Sequence, residues 1–100
     1  MTAAFRLSFT WEARDLLEEL AAQKQDARHV RKVRNALAHI QANPRHPGLQ
    51  SHKYSSLKGA AGEEVWESYV ENNTPSAWRI FWHYGPRDGE ITIVTISSHP

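Results

Sequence analysis

The sequence predicts an α+β domain: an N-terminal strand, a helical hairpin and a three-stranded antiparallel meander. Three observations carry this. Apolar residues alternate with a period of two in "AFRLSF" and again in three runs after residue 63. Between these stretches they recur at spacings of three and four, the helical pattern. The breakers "NPRHPG", "NNTPSA" and "GPRDG" separate the runs. One hundred residues, 40% hydrophobic and 23% charged, fit one globular domain over 1–100.

In "AFRLSF", Phe5, Leu7 and Phe9 point one way and Arg6 and Ser8 the other. Thr10 is placed to cap the helix that follows, with Glu12 and Asp15 near its positive end. Ala13, Leu16, Leu17 and Leu20 make its apolar stripe, and "QKQD" breaks it. Val30, Val33, Leu37 and Ile40 make the stripe of the second helix, which "NPRHPG" stops. Residues 46–59 read as a connecting loop. "EEVWESYVEN" then reads as a strand with Trp66, Ser68 and Val70 on one face and Val65, Glu67 and Tyr69 on the other. "WRIFWHY" puts Trp78, Ile80, Trp82 and Tyr84 on one face and Arg79, Phe81 and His83 on the other. "GPRDG" is a hairpin connection, and "EITIVTIS" reads as a last strand, apolar at every second position. If "AFRLSF" joins the meander, the sheet has four strands.

The near-neutral net charge of +1 hides a segregation. Residues 24–58 carry eight cations (Lys24, Arg28, Arg31, Lys32, Arg34, Arg45, Lys53, Lys58) and one acid, Asp26. The flanks are acidic, with Glu12, Asp15, Glu18 and Glu19 before and Glu63, Glu64, Glu67 and Glu71 after. A basic middle of this kind suits a polyanion, and Arg28, Arg31, Lys32, Arg34 and Arg45 are the candidate nucleic-acid contacts. A solvated helix face is the plainer alternative. There is no cysteine, hence no disulfide framework or thiolate chemistry, which fits a cytoplasmic protein. No signal-peptide pattern or membrane span is expected.

His46, His52, His83 and His99 match no ligand spacing, so no metal and no cofactor are expected. "KGAAG" lacks the spacing of a phosphate loop, and "SSH" lacks the strained turn of a serine nucleophile. What remains is metal-free acid–base chemistry. Cleaving RNA through its own 2′-hydroxyl needs a base, a cation on the phosphate and an acid for the leaving oxygen. Histidine suits either proton role, and the arginine fork suits phosphate. Arg79 can equally pair with Glu67 on the neighbouring strand. Trp66, Trp78 and Trp82 read as core more than as base-stacking platforms.

The order of elements, "LQSHKYSSLKG", "AWRIFWHY" and the closing "ITIVTISSHP" together resemble the RelE/ParE toxin superfamily over nearly the whole chain. The resemblance implies a β-α-α-β-β-β domain and the toxin of a type II toxin–antitoxin pair. It implies an mRNA endoribonuclease acting on the ribosome, with a cognate antitoxin as partner. Leu57, Lys58 and Gly59 match the family's loop motif, and His52 and Lys53 lie where nuclease members keep acid–base groups. Trp78-Arg79-Ile80 matches the aromatic–Arg strand, which makes Arg79 the phosphate ligand. His99 falls near the C-terminal catalytic His of HigB-like and YoeB-like members. Tyr69 stands where the family often has a functional Arg, and His83 shares a strand face with Arg79. The catalytic candidates are therefore Lys53, Arg79, His99, His52, Lys58, Tyr69 and His83. The alternatives are a ParE-like toxin that binds a protein such as a topoisomerase, and a family member with no toxicity.

Overall fold

A computed structural model of the protein describes residues 4–71 and 77–98, apart from the side chain of Asp26. The elements run β1 (Arg6–Phe9), α1 (Trp11–Ala22), α2 (Ala27–Ala42), β2 (His52–Lys58), β3 (Glu64–Tyr69), β4 (Trp78–Tyr84) and β5 (Glu90–Ser98). The α+β class and the helical hairpin agree with the sequence reading. The strand count does not. The 46–59 segment is no loop: it makes a 3-10 turn at Pro47–Leu49 and then the seven-residue strand β2.

The five strands form one mixed sheet in the order β1-β5-β4-β3-β2. Strands β2 to β5 pair antiparallel, as hairpin-linked strands must. β1 pairs parallel with β5, because two helices carry the chain across one face before the meander begins.

Both helices lie on that face. α1 contributes Ala13 and Leu20, and α2 contributes Val30, Val33, Leu37 and Ile40, all packed on Ile80, Trp82, Ile91, Ile93 and Ile96. Ile40, Ile80, Ile91 and Ile93 are fully buried, each stabilising the fold by about 1.5–3 kcal/mol.

The β4–β5 register explains a break in the last strand's alternation. Phe81 faces Thr95 but Trp82 faces Ile93, so Val94 is an inserted bulge residue. Ile91 and Ile93 point to the core before it and Ile96 after it. The bulge also seats α1. Thr10 donates its hydroxyl to the Val94 carbonyl at 2.6 Å and accepts from the Ala13 N–H at 3.1 Å. One side chain thus caps the helix and fastens it to the sheet.

Candidate functional site

The face of the sheet turned away from the helices gathers four of the sequence's polar residues. In the β2–β3 register His52 faces Glu67, and in the β3–β4 register Tyr69 faces Arg79. Side chains at directly opposed positions share a face, so all four converge. The Arg79 Nη1 lies 2.7 Å from Glu67 Oε2, and the guanidinium sits over the Tyr69 ring at 4.8 Å. The His52 Nε2 lies 2.6 Å from Glu67 Oε1. Glu67 is thus a buried carboxylate, its side chain 2% exposed, shared by a guanidinium and an imidazole.

Proton counting shows how firmly this cluster is tied. His52 Nδ1 lies 3.0 Å from the Gln50 carbonyl, which can only accept, so Nδ1 carries a proton. The Nε2–Glu67 contact then needs either a second ring proton or one on the carboxyl. Both ring nitrogens are engaged, and neither is left for a substrate. Arg79 Nε is buried with no hydrogen-bond partner among the described residues.

The other candidates lie elsewhere. Lys53 follows His52 directly, so it projects to the opposite face. There its ammonium is 3.2 Å from Glu64 and 5.9 Å from the Trp66 ring centre. Lys58 is exposed at the far end of β2, in register with Glu64. His83 is buried, its Nδ1 donating to the Tyr84 carbonyl at 2.8 Å. Gly59 leaves room for that ring: a Cβ there would come within 2.8 Å of it and would collide with the Glu63 carboxylate. Hydrogen bonds from its own N–H and that of Ala61 hold the Glu63 carboxyl below its ordinary 4.5, and the charge of nearby His83 adds to this. His99 lies outside the described residues.

On α2, Arg28, Arg31 and Arg34 are exposed, while Lys32 is half-buried and pairs with Glu71 at 3.2 Å. Arg28, Lys32, Asn35 and His39 fall at four-, three- and four-residue intervals and form one stripe. A cleft of about 220 Å³ joins this stripe to Tyr69, lined by Lys32, Asn35, His39 and His46. Arg45 is exposed in the turn after α2. Among the described residues no cluster of three or more His, Cys, Asp or Glu side chains is arranged to hold a metal ion, and no helix is long and apolar enough to cross a membrane.

Sequence reasoning foresaw the Arg79–Glu67 pair but not His52 as the third member. The missing signal was β2 itself: "HKYSSLK" has only Tyr54 and Leu57 as apolar anchors.

No protein-family model and no curated protein matches this sequence. Solved structures do match its fold. A YoeB/ParE toxin from Agrobacterium tumefaciens superposes with a TM-score of 0.70 at 18% identity, covering 95% of this chain and 99% of that one. An archaeal RelE–RelB complex from Pyrococcus horikoshii OT3 gives 0.62 at 15% identity, covering 95% and 94%. The chain has the fold of the RelE/ParE toxins.

Proposed function

We propose that the protein is the toxin of a type II toxin–antitoxin pair and a metal-independent mRNA endoribonuclease acting on ribosome-bound message in the cytoplasm. The observation that carries this is Arg79 held over the Tyr69 ring on one face, joined to the basic stripe of α2 by the cleft at Tyr69. Arg79 would bind the scissile phosphate, its fork oriented by Glu67 and the Tyr69 ring. Ser97 faces Arg79 across the sheet, and His99 follows two residues later in sequence, which suits His99 for proton transfer. A base removes the 2′-hydroxyl proton, the oxygen attacks phosphorus to give a 2′,3′-cyclic phosphate, and the 5′-oxygen leaves with a proton. Arg28, Arg31, Lys32 and Arg34 would hold flanking phosphates. The partner would be a cognate antitoxin, by likeness to the archaeal RelE, which was solved with RelB.

A second reading has one specific observation behind it. The charge of Arg79 is already met by Glu67, and both His52 nitrogens are engaged. That arrangement suits a protein-binding toxin of the ParE kind, or a non-toxic relative, as well as it suits a nuclease.

The test is tightly induced expression in a bacterial host with transcript 5′ ends mapped, comparing wild type, His99→Ala and Arg79→Lys at matched soluble levels. Growth arrest with new message ends, both lost in the variants, is the expected result. Arrest without cuts, indifferent to either variant, would select the protein-binding reading. Soluble protein without arrest would select the non-toxic one.

A further inference from the structure

A second concavity opens on the helix-side face of the sheet, across from the His52 cluster. It is a cleft of about 270 Å³ where the turn after α2 meets the ends of β3 and β4. Trp66, Trp82 and Tyr84 form one wall. The Trp66 and Trp82 rings stack at 5.9 Å, and Tyr84 meets Trp82 edge-on at 5.0 Å. Tyr84 is 39% exposed, unusual for a large ring beside a core tryptophan. The other wall carries Arg45, His46 and Gln50, and no carboxylate lines the cleft. Arg45 forms no ion pair among the described residues. His46 Nδ1 accepts from the Gly48 N–H at 3.0 Å, so the ring's own N–H is at Nε2. Lys53 lies over Trp66 on this face and, among the described residues, is otherwise held by an exposed pair with Glu64.

The floor is already built. Trp82 Nε1 donates to Ser68 Oγ at 2.8 Å, and Ser51 Oγ donates to the Pro44 carbonyl at 3.0 Å. The 2.6 Å contact between the two hydroxyls therefore has Ser68 as donor, since the Ser51 proton is already used. This directed chain ties the Pro44 turn to the aromatic wall and satisfies every polar group in it. A fixed, satisfied floor lowers the ordering cost of binding.

We infer that this cleft takes one base of single-stranded RNA, stacked on Tyr84, with the adjoining phosphate held by Arg45 and Lys53. The inference rests on the RNA reading above for its ligand class. Aromatic faces beside cations, here Arg45 and the exposed Lys53, are the chemistry of sequence-tolerant single-strand binding. The volume of about 270 Å³ is ample for one base. Strand β2 lies at the sheet edge, so a chain crossing it passes from this face to that of Arg79.

The probe is the 5′-phosphorylated trinucleotide pUpUpU, followed by tryptophan fluorescence and calorimetry at several salt concentrations, with ribose 5-phosphate as competitor. Tyr84→Ala should weaken binding roughly 5- to 150-fold, from about 1–3 kcal/mol per stacked base. Arg45→Ala should weaken it too and lower the log–log salt slope by about 0.7. Arg14→Ala, on α1, should bind as wild type does. If Tyr84→Ala fails to fold, Tyr84→Leu makes the same comparison with the bulk retained. The inference is overturned if pUpUpU does not bind, if ribose 5-phosphate competes equally well, or if Arg14→Ala costs as much as Arg45→Ala. Message cuts in cells judge the nuclease separately: cuts without Tyr84-dependent binding refute the cleft alone. Binding without cuts refutes the nuclease and leaves the cleft standing.

Discussion

Replacing Arg79 by alanine should cost the fold about 3–5 kcal/mol, whatever the protein does. Glu67 is 2% exposed and Arg79 12%, so the pair is desolvated. Removing the guanidinium leaves a buried carboxyl group with half-exposed His52 beside it, and a broken buried pair typically costs this much. It also removes a cation stacked on Tyr69 at 4.8 Å. With about 2.1 cal/mol/K of unfolding entropy per residue, the melting temperature should fall by roughly 15–25 °C. Such a loss is a large part of the ~5–15 kcal/mol available to a domain. Replacing both partners, Glu67→Leu with Arg79→Met, should bring stability back to within about 1 kcal/mol of wild type, because no charge is then stranded. Urea unfolding at pH 7, with midpoint and slope read for each variant, measures both effects. A cost below about 1 kcal/mol for Arg79→Ala would refute the reasoning, since the carboxylate would then be hydrated and free of the pair. The consequence for function is direct. Lost toxicity in Arg79→Ala says nothing about chemistry unless its folded fraction is known, which is why Arg79→Lys is the better probe.

Two further perturbations follow from single contacts. Thr10→Ala removes the α1 cap and strands the bulge carbonyl of Val94, so about 2 kcal/mol should be lost while Thr10→Ser stays near wild type in the same urea assay. The Glu63 carboxyl sits below its ordinary 4.5 in the folded chain, so it stabilises the fold above that pH and the contribution disappears as pH falls through the lower folded value. Glu63→Gln should therefore flatten the acid side of a plot of urea midpoint against pH, from its ordinary 4.5 downward, and an unchanged slope would show that Glu63 takes no part.

The elements with strong periodicity were legible in the sequence. The stripe Val30, Val33, Leu37, Ile40 is the buried face of α2, and Trp78, Ile80 and Trp82 line the helix side of β4. Strand β2 was not legible, because its alternation is polar against polar: His52 and Tyr54 on the outer face, Lys53 on the other. An edge strand needs little apolar surface, and its charges guard it against pairing with other chains. Missing β2 had a chemical consequence. Taken as a loop, His52 and Lys53 read as neighbours in one site, whereas strand geometry sends them to opposite faces. The bulge at Val94 was hidden for a different reason: the Thr10 hydroxyl that holds its carbonyl is far away in sequence.

The charge state of the outer cluster decides how a phosphate could be held there. Glu67 neutralises Arg79, so little net attraction draws a polyanion to that spot. Long-range attraction must come instead from the arginines of α2, which form no ion pair among the described residues; Arg28 lies on the stripe that the cleft joins to Tyr69. At the cluster itself, what the protein supplies is orientation: a guanidinium fixed by a carboxylate and an aromatic ring. Orientation without a free acid or base cannot move a proton. His52 has no free nitrogen and His83 is buried, so among the histidines proposed for proton transfer only His99 is left. Among the histidines, the nuclease and the protein-binding toxin therefore part at that one side chain. A nuclease needs a titrating group delivered to the fixed arginine, whereas a binding surface needs only the fixed arginine and its ring.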